Sequence, residues 1–90
     1  MSSGVTMTEA RDSDRPYQPI ACDLYSQFEL AIMHRLRIRL RWIEDNVIHD
    51  QAVTPIDLRT LQHAEFLVCR VGAAAPFLVR LDRIRHWEAL

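Results

Sequence analysis

The stretch that decides the fold is Arg35-Leu36-Arg37-Ile38-Arg39-Leu40-Arg41-Trp42, in which arginine alternates with an apolar residue throughout. A period of two places the apolar side chains on one face of a β-strand and the arginines on the other. In a helix the same residues would spread arginine around the whole circumference. The pattern therefore predicts a strand over residues 35–42 with one buried face, and it places Trp42 in the core.

The rest of the chain predicts four more short strands joined by turns. Segments rich in apolar and β-branched side chains alternate with turn-forming residues, a spacing typical of small all-β domains. The strands are expected at residues 47–53, 64–71 and 77–81, with a short fifth strand after residue 82. A tight turn or one short helical turn is predicted at residues 54–58, because Pro55 suits the first position of a helical turn.

One helix is predicted ahead of these strands, from Asp23 to about His34. Four apolar side chains follow the spacing i, i+4, i+7, i+8 and therefore share one face. They are Leu24, Phe28, Ala31 and Ile32. Asp23 is predicted to be the N-cap, since its carboxylate can accept hydrogen bonds from the free amides of the first turn.

These elements predict a mainly β fold, a small antiparallel barrel of about five strands that is closed or nearly closed and is capped by the helix. Closure would remove exposed strand edges, which a small domain tolerates badly. Residues 16–90 are expected to form this single domain. Residues 1–15 are small, polar and charged, so a flexible N-terminal tail is predicted there.

The composition bounds the class of protein. A chain of 90 residues allows one domain, and a hydrophobic fraction of 49% is too high for complete disorder. The formal net charge is −1, whereas a nucleic-acid-binding protein usually carries a clear excess of positive charge. Residues 1–30 hold five acids and two arginines (−3), and residues 31–90 hold seven acids and nine arginines (+2). The amino-terminal third is therefore acidic and the remainder mildly basic.

No pattern in the sequence indicates a catalytic or metal site. Cys22 and Cys69 form no CxxC pair and the histidines lack HExxH spacing, so we expect two reduced and mostly buried thiols rather than a disulfide, no metal and no enzymatic activity. No apolar run is long enough to span a membrane, and the amino terminus shows no signal peptide. A cytoplasmic protein without a cofactor is therefore expected.

Several short motifs distinguish the chain from a generic small β domain. They are Tyr17-Gln18-Pro19-Ile20, Cys22-Asp23, Tyr25 and Glu29-Leu30-Ala31, followed later by Glu65-Phe66-Leu67-Val68 and Arg80-Leu81-Asp82-Arg83-Ile84. In this order they resemble the Rho-binding antiterminators, the Rof family, over roughly residues 17–86. The resemblance implies an Sm-like barrel preceded by a helix, without catalytic activity or cofactor. It also implies a partner, the amino-terminal RNA-binding domain of the hexameric helicase Rho, and inhibition of Rho-dependent termination by blocking RNA loading.

The predicted helix leaves one side opposite its apolar face, at the spacing i, i+3, i+7, i+10. We name this side the outer helix face, and its residues are Asp23, Ser26, Leu30 and Met33. Acids on the helix suit a partner surface that normally holds a polyanion. Leu24 and Ser26 stand where the family commonly carries acids, which predicts a mixed polar and apolar contact. The residues predicted to bind the partner are Tyr17, Asp23, Tyr25, Ser26, Glu29, Leu30 and Met33.

Structural roles are open for several of these residues. Leu30 and Met33 could instead cover the barrel rim or a sheet edge. Tyr17 and Tyr25 offer large contact area with a polar tip, which suits an interface, but they could also pack around the start of the helix.

The arginines of the first strand suggest an alternative function. We name them the arginine row; they are Arg35, Arg37, Arg39 and Arg41. Such a row could follow an RNA backbone, as in an Sm-like RNA-binding module. The structural alternative pairs the arginines with acids on neighbouring strands, such as Asp45, Asp50 or Glu65. The near-neutral net charge favours pairing, so the leading interpretation includes neither direct nucleic-acid binding nor a membrane.

Overall fold

The computed structural model describes residues 16–90, and the predicted tail at residues 1–15 lies outside that range. One helix precedes five strands, which confirms the mainly β prediction. The helix α1 spans Cys22–Met33, and the strands are β1 (Ile38–Glu44), β2 (Val47–Leu61), β3 (Ala64–Arg70), β4 (Phe77–Arg80) and β5 (Ile84–Ala89). A short 3-10 helix, Leu81–Arg83, connects β4 to β5.

The five strands form one antiparallel sheet in the order β4-β3-β2-β1-β5. No ladder joins β4 to β5 in the described part of the chain, so the predicted closed barrel is not found and the sheet is open. The sheet is nevertheless curled, because Trp42 of β1 stacks on Phe77 of β4 with ring centroids 5.9 Å apart. β4 has only four residues and ends in the 3-10 helix, which leaves a short edge for any closing ladder.

β2 continues through the position at which the sequence predicted a turn. Pro55 pairs with Cys69 on β3, and the register then shifts by one residue before Asp57, which forms a β-bulge. Proline lacks the N–H that a regular ladder needs, and bulges are among the few places in a sheet that accept it. The turn predicted at residues 54–58 is therefore wrong. One long strand pairs with β1 in its first half and with β3 in its second.

β1 begins later than the alternation of arginine and apolar residues predicted. Arg35 has a φ of +54°, and the N–H of Leu36 donates to the carbonyl of Ala31 at 3.0 Å, so these residues close the helix. Leu36 is consequently exposed, while the alternating apolar positions Ile38, Leu40 and Trp42 within β1 are buried as predicted. Arg35 and Arg37 therefore precede the strand, and only the second half of the arginine row lies on it.

The core lies between α1 and one side of the sheet. Phe28 and Ala31 reach it from the helix and are buried, and Leu24 and Ile32 pack against it half-buried. The sheet and the 3-10 helix contribute Ile38, Leu40, Trp42, Val53, Leu67, Cys69, Val79 and Leu81. The helix thus covers the core with the face that its apolar spacing predicted.

The start of α1 differs from the prediction in one respect. The N-cap is Ala21, whose carbonyl accepts the N–H groups of Leu24 and Tyr25, each at 3.1 Å. Asp23 lies inside the first turn, and its carboxylate accepts the neighbouring N–H of Leu24 at 3.1 Å. The prediction that Asp23 is the N-cap is therefore wrong, although a carboxylate in the first turn still favours the helix through its dipole.

Both cysteines are free thiols, as the sequence predicted, but the predicted burial is found only for Cys69. Cys22 is exposed and Cys69 is buried, and burial raises the pKa of the Cys69 thiol to about 12. Among residues 16–90, no helix combines the length and the apolar character needed to cross a membrane.

Candidate functional site

The outer helix face is exposed to solvent along its length, as the helical spacing predicted. Leu30 exposes 51% of its surface and Met33 exposes 70%. Asp23 and Ser26 are exposed on the same side. Exposure of this size does not fit the alternative in which Leu30 and Met33 cover a barrel rim. Two neighbouring apolar side chains therefore stand in water on the same side of the helix as a carboxylate, a combination that suits a contact surface.

Tyr25 and Glu29 flank this face on the side nearer the sheet. Tyr25 is half-buried, and Glu29 is exposed. Burial raises the pKa of the Tyr25 hydroxyl, and the negative charges of Glu65, Glu29 and Asp57 raise it further. These three carboxylates come from β3, α1 and β2, so the fold brings together acids that are far apart in the sequence.

A groove runs between α1 and β2 beside the outer helix face. Its walls are Tyr25, Glu29, Ile32, Met33, Asp57 and Leu58, and we name it the α1–β2 groove. The helix contributes four of these residues and β2 contributes two. Met33 belongs both to the groove and to the outer helix face, so the two surfaces are continuous.

Tyr17 is held against the sheet by two contacts. Its hydroxyl donates to Glu65 Oε1 at 3.2 Å, and the guanidinium of Arg80 lies 5.7 Å from the centre of its ring. Burial raises the pKa of Tyr17, and the charges of Glu65 and Asp82 add to the effect. These contacts give Tyr17 the packing role that the sequence left open, and its predicted contact with a partner stays a prediction.

A buried ion pair anchors the segment that leads into the helix. Arg80 Nη2 donates to Asp82 Oδ2 at 3.2 Å and its Nε lies 3.0 Å from Oδ1, with side-chain exposures of only 8% and 4%. The N–H of Gln18 donates to the same carboxylate at 2.9 Å. We name Tyr17, Gln18, Glu65, Arg80 and Asp82 the clamp. It ties the chain before α1 to β3 and the 3-10 helix.

The arginine row is partly neutralised within the sheet. Arg39 Nε donates to Asp50 Oδ1 at 2.8 Å, and Arg41 Nη2 donates to Asp50 Oδ2 at 3.1 Å. The cross-strand register explains the pairing, because Arg41 lies opposite Asp50. The hydrogen bond from Arg41 is the largest cause of a lowered pKa at Asp50, and Arg39 contributes as well. The predicted pairing is thus confirmed for Asp50, whereas Glu65 accepts from Tyr17 instead.

Asp57 and Glu65 are the residues of this site that the sequence did not assign to it. The sequence did not point to Asp57, because Pro55 indicated a turn at this position. In the structure Asp57 lies on β2, after the bulge. Glu65 was considered only as a partner for arginine. A longer strand through Pro55 would have placed Asp57 near the helix, but no local pattern predicts a bulge there.

The side chains of the described residues also bear on whether this surface could bind a metal ion or a partner. Among residues 16–90, no group of three or more His, Cys, Asp and Glu side chains could hold a metal ion. The side chains that converge are carboxylates, a tyrosine and apolar groups. Such a surface can bind a cationic and partly apolar partner.

Comparison with known proteins adds a family and a fold. A family model described as "Modulator of Rho-dependent transcription termination (ROF)" matches residues 19–90. Among solved structures, proteasome accessory factor B/C (PafBC) of Arthrobacter aurescens is similar, with a TM-score of 0.65 and 22% identity over 80% of this chain. The chain spans 12% of the length of that structure, and the likeness concerns the fold alone. No curated protein matches the chain.

Proposed function

Since the chain belongs to the Rof family of modulators of Rho-dependent transcription termination, we propose that it binds the amino-terminal RNA-binding domain of Rho and blocks RNA loading. In this proposal the chain acts by occupying a surface rather than by catalysing a reaction. The contact is made by the outer helix face together with Tyr25 and Glu29.

The exposure of Leu30 and Met33 is the observation that carries the proposal. Both lie on the same side of α1 as Asp23, and the opposite side of the helix is already filled by the core. A helix of a small domain that needed only to cover its core would keep that side polar. Burying two such side chains against a partner would favour association, because apolar burial is the main driving force of most protein contacts.

Charge supports the choice of the RNA-binding domain as the target. A protein surface that holds an RNA backbone must carry cationic side chains. Asp23 and Glu29 present carboxylates to the solvent. Within the described chain, no side-chain ion pair engages either of them. Such a face can compete with RNA for a basic site by electrostatic complementarity.

The arginine row supports RNA binding less well. Arg39 and Arg41 share the carboxylate of Asp50, and Arg35 and Arg37 lie outside the strand, so the four do not form one continuous basic line. Direct RNA binding by this chain is therefore not part of the proposal, and observing it would contradict the proposal. The open sheet does not confirm the Sm-like barrel that the family resemblance implies.

Two titrations test the proposal. In the first, the isolated RNA-binding domain of Rho is titrated with the full chain by calorimetry; in the second, labelled C-rich RNA is titrated with the same chain. We expect saturable binding to the domain and none to the RNA. Binding to RNA that weakens steeply with salt, without binding to the domain, would replace the proposal with the RNA-binding alternative.

A further inference from the structure

We propose that the α1–β2 groove receives an arginine side chain of the partner, and that Asp57 is one of the carboxylates that bind it. This inference rests on the proposed function and extends the contact from the helix onto β2. The occupant follows from the apolar lining and the charge of the groove.

The apolar part of the groove is formed by both elements. Ile32 and Met33 line it from the helix, and Leu58 lines it from β2. Ile32 and Leu58 pack half-buried against the core, whereas Met33 is largely exposed. Such a lining can cover the aliphatic stem of a long side chain while the charged end stays at the polar margin.

The polar part of the groove is acidic on both sides. Glu29 lies on the helix side and Asp57 on the β2 side. The negative charges of Glu65, Glu29 and Asp57 all raise the pKa of Tyr25, which lines the same groove. Among the described residues, none of those that line the groove is cationic. A cation is the complementary ligand, because within the described residues no side-chain ion pair engages Glu29 and the pair that Asp57 forms with Arg59 is exposed.

Asp57 is available to a partner. Its side chain is 58% exposed; Oδ1 accepts the N–H of Leu58 at 2.8 Å, and Nη2 of Arg59, a side chain that is 52% exposed, lies 3.7 Å from Oδ2. An exposed ion pair at that distance contributes little. An arginine from a partner can therefore replace Arg59 at small cost.

Arginine fits the groove better than lysine does. A guanidinium is planar, so it can lie against the ring of Tyr25 while it donates two hydrogen bonds to one carboxylate. A lysine ammonium is strongly hydrated and lacks this fork. The groove is continuous with the outer helix face through Met33, which lets one partner surface contact both.

The first test measures binding of the Rho RNA-binding domain to the full chain carrying Asp57→Asn. The matched control is Glu88→Gln on β5, which removes the same charge from a carboxylate of similar exposure, 61% against 58%. We expect Asp57→Asn to weaken binding about tenfold and Glu88→Gln less than about twofold. Equal effects of the two variants, with the unmodified chain binding well, would overturn the groove inference and leave the proposed function standing.

The second test does not depend on Rho. The full chain is titrated with N-acetyl-arginine amide and, separately, with N-acetyl-norleucine amide, and the NMR shifts of the Tyr25 ring and the Asp57 amide are followed. We expect the arginine compound to shift both signals and Asp57→Asn to reduce the shifts at least about threefold. Shifts of the same size around Glu88, or with the norleucine compound, would overturn the inference. Specific shifts in a chain that fails to bind Rho would instead refute only the proposed function.

Discussion

The outer helix face and the arginine row are both exposed, but their charged side chains are partnered differently. On β1, Arg39 and Arg41 converge on Asp50 of the neighbouring strand. On α1, Asp23 forms no ion pair within the described residues, and Leu30 and Met33 are exposed to solvent on the same side of the helix. The arginine row has the higher formal charge. The side chains of the outer helix face, however, have fewer partners within the described residues. A count of charged residues does not distinguish these surfaces, whereas the pairing of their side chains does.

The cause of this difference is geometric. A strand inside a sheet has neighbours on both sides, so each outward arginine lies opposite a residue that can be an acid. β1 has β2 on one side and β5 on the other. The outer side of a helix that lies over a core has no such neighbour. Side chains on this outer side that have no contact within the chain must therefore contact water or a partner.

The largest effect is expected from breaking the clamp that ties the chain before α1 to the rest of the fold. Asp82→Asn keeps the shape of the side chain but removes the negative charge that lies 3.0 Å from the buried Nε of Arg80. We expect a loss of about 3 kcal/mol of unfolding free energy, measured by denaturant titration. The matched control is Glu88→Gln at an exposed position, which should change stability little. Equal stability of the two variants would show that the clamp does not anchor this segment.

A second prediction separates binding from stability on the outer helix face. Leu30→Ser combined with Met33→Ser should weaken binding to the Rho domain about tenfold to a hundredfold, because two apolar contacts are lost. The thermal midpoint should change little, since both side chains are mostly exposed in the free chain.

The control for this variant uses two equally exposed apolar residues on another element. Val47 and Ile48 expose 54% and 67% of their surface, against 51% and 70% for Leu30 and Met33. Val47→Thr with Ile48→Thr preserves β propensity and should leave binding unchanged. A large loss of thermal stability in the helix variant, or a similar loss of binding in the control, would remove the distinction between the helix face and other exposed apolar residues.

A smaller effect is expected at Tyr17. Tyr17→Phe removes the hydrogen bond to Glu65 and should lower stability by about 1 kcal/mol at neutral pH. Because the pKa of Tyr17 is raised in the folded state, its stabilisation is complete below the ordinary tyrosine pKa of about 10 and is lost as the pH rises through the folded value. The difference between the two proteins should therefore shrink in strongly alkaline solution. A difference that stays constant with pH would contradict this assignment.

The smallest effect is expected in the arginine row. Asp50→Asn should leave the thermal midpoint nearly unchanged, because the ion pairs lie on the surface. In the unmodified chain, NMR titration should give Asp50 a pKa below the ordinary aspartate value, and Arg41→Gln should raise it more than Arg39→Gln does. If Asp50→Asn instead created strong RNA binding, the row would be a masked RNA site and the comparison with the helix face would fail.

The local periodicity of the sequence predicted the main elements of this fold. It could not predict features that depend on contacts between distant segments. The spacing of Leu24, Phe28 and Ala31 predicted both the helix and its exposed side. The alternation after Arg35 predicted β1, although the left-handed backbone at Arg35 delays its start. Sheet closure could not be read from strand patterns, because closure depends on how the strand edges meet.

The candidate site was predictable only in its helical part. Leu30 and Met33 follow from helical spacing, which is a local property. Asp57 reaches the site because a bulge carries β2 past Pro55, and Glu65 reaches it from β3. Both placements depend on the register of strands far apart in the sequence, which no local motif specifies.

A competition titration on hexameric Rho tests the central claim most directly. Labelled C-rich RNA is bound to Rho, and the full chain is added while the bound RNA is followed by fluorescence anisotropy. The account predicts that the chain displaces the RNA, that the chain alone does not bind it, and that Leu30→Ser with Met33→Ser shifts the displacement to higher concentration. RNA that stays on Rho at saturating chain concentration would contradict the account.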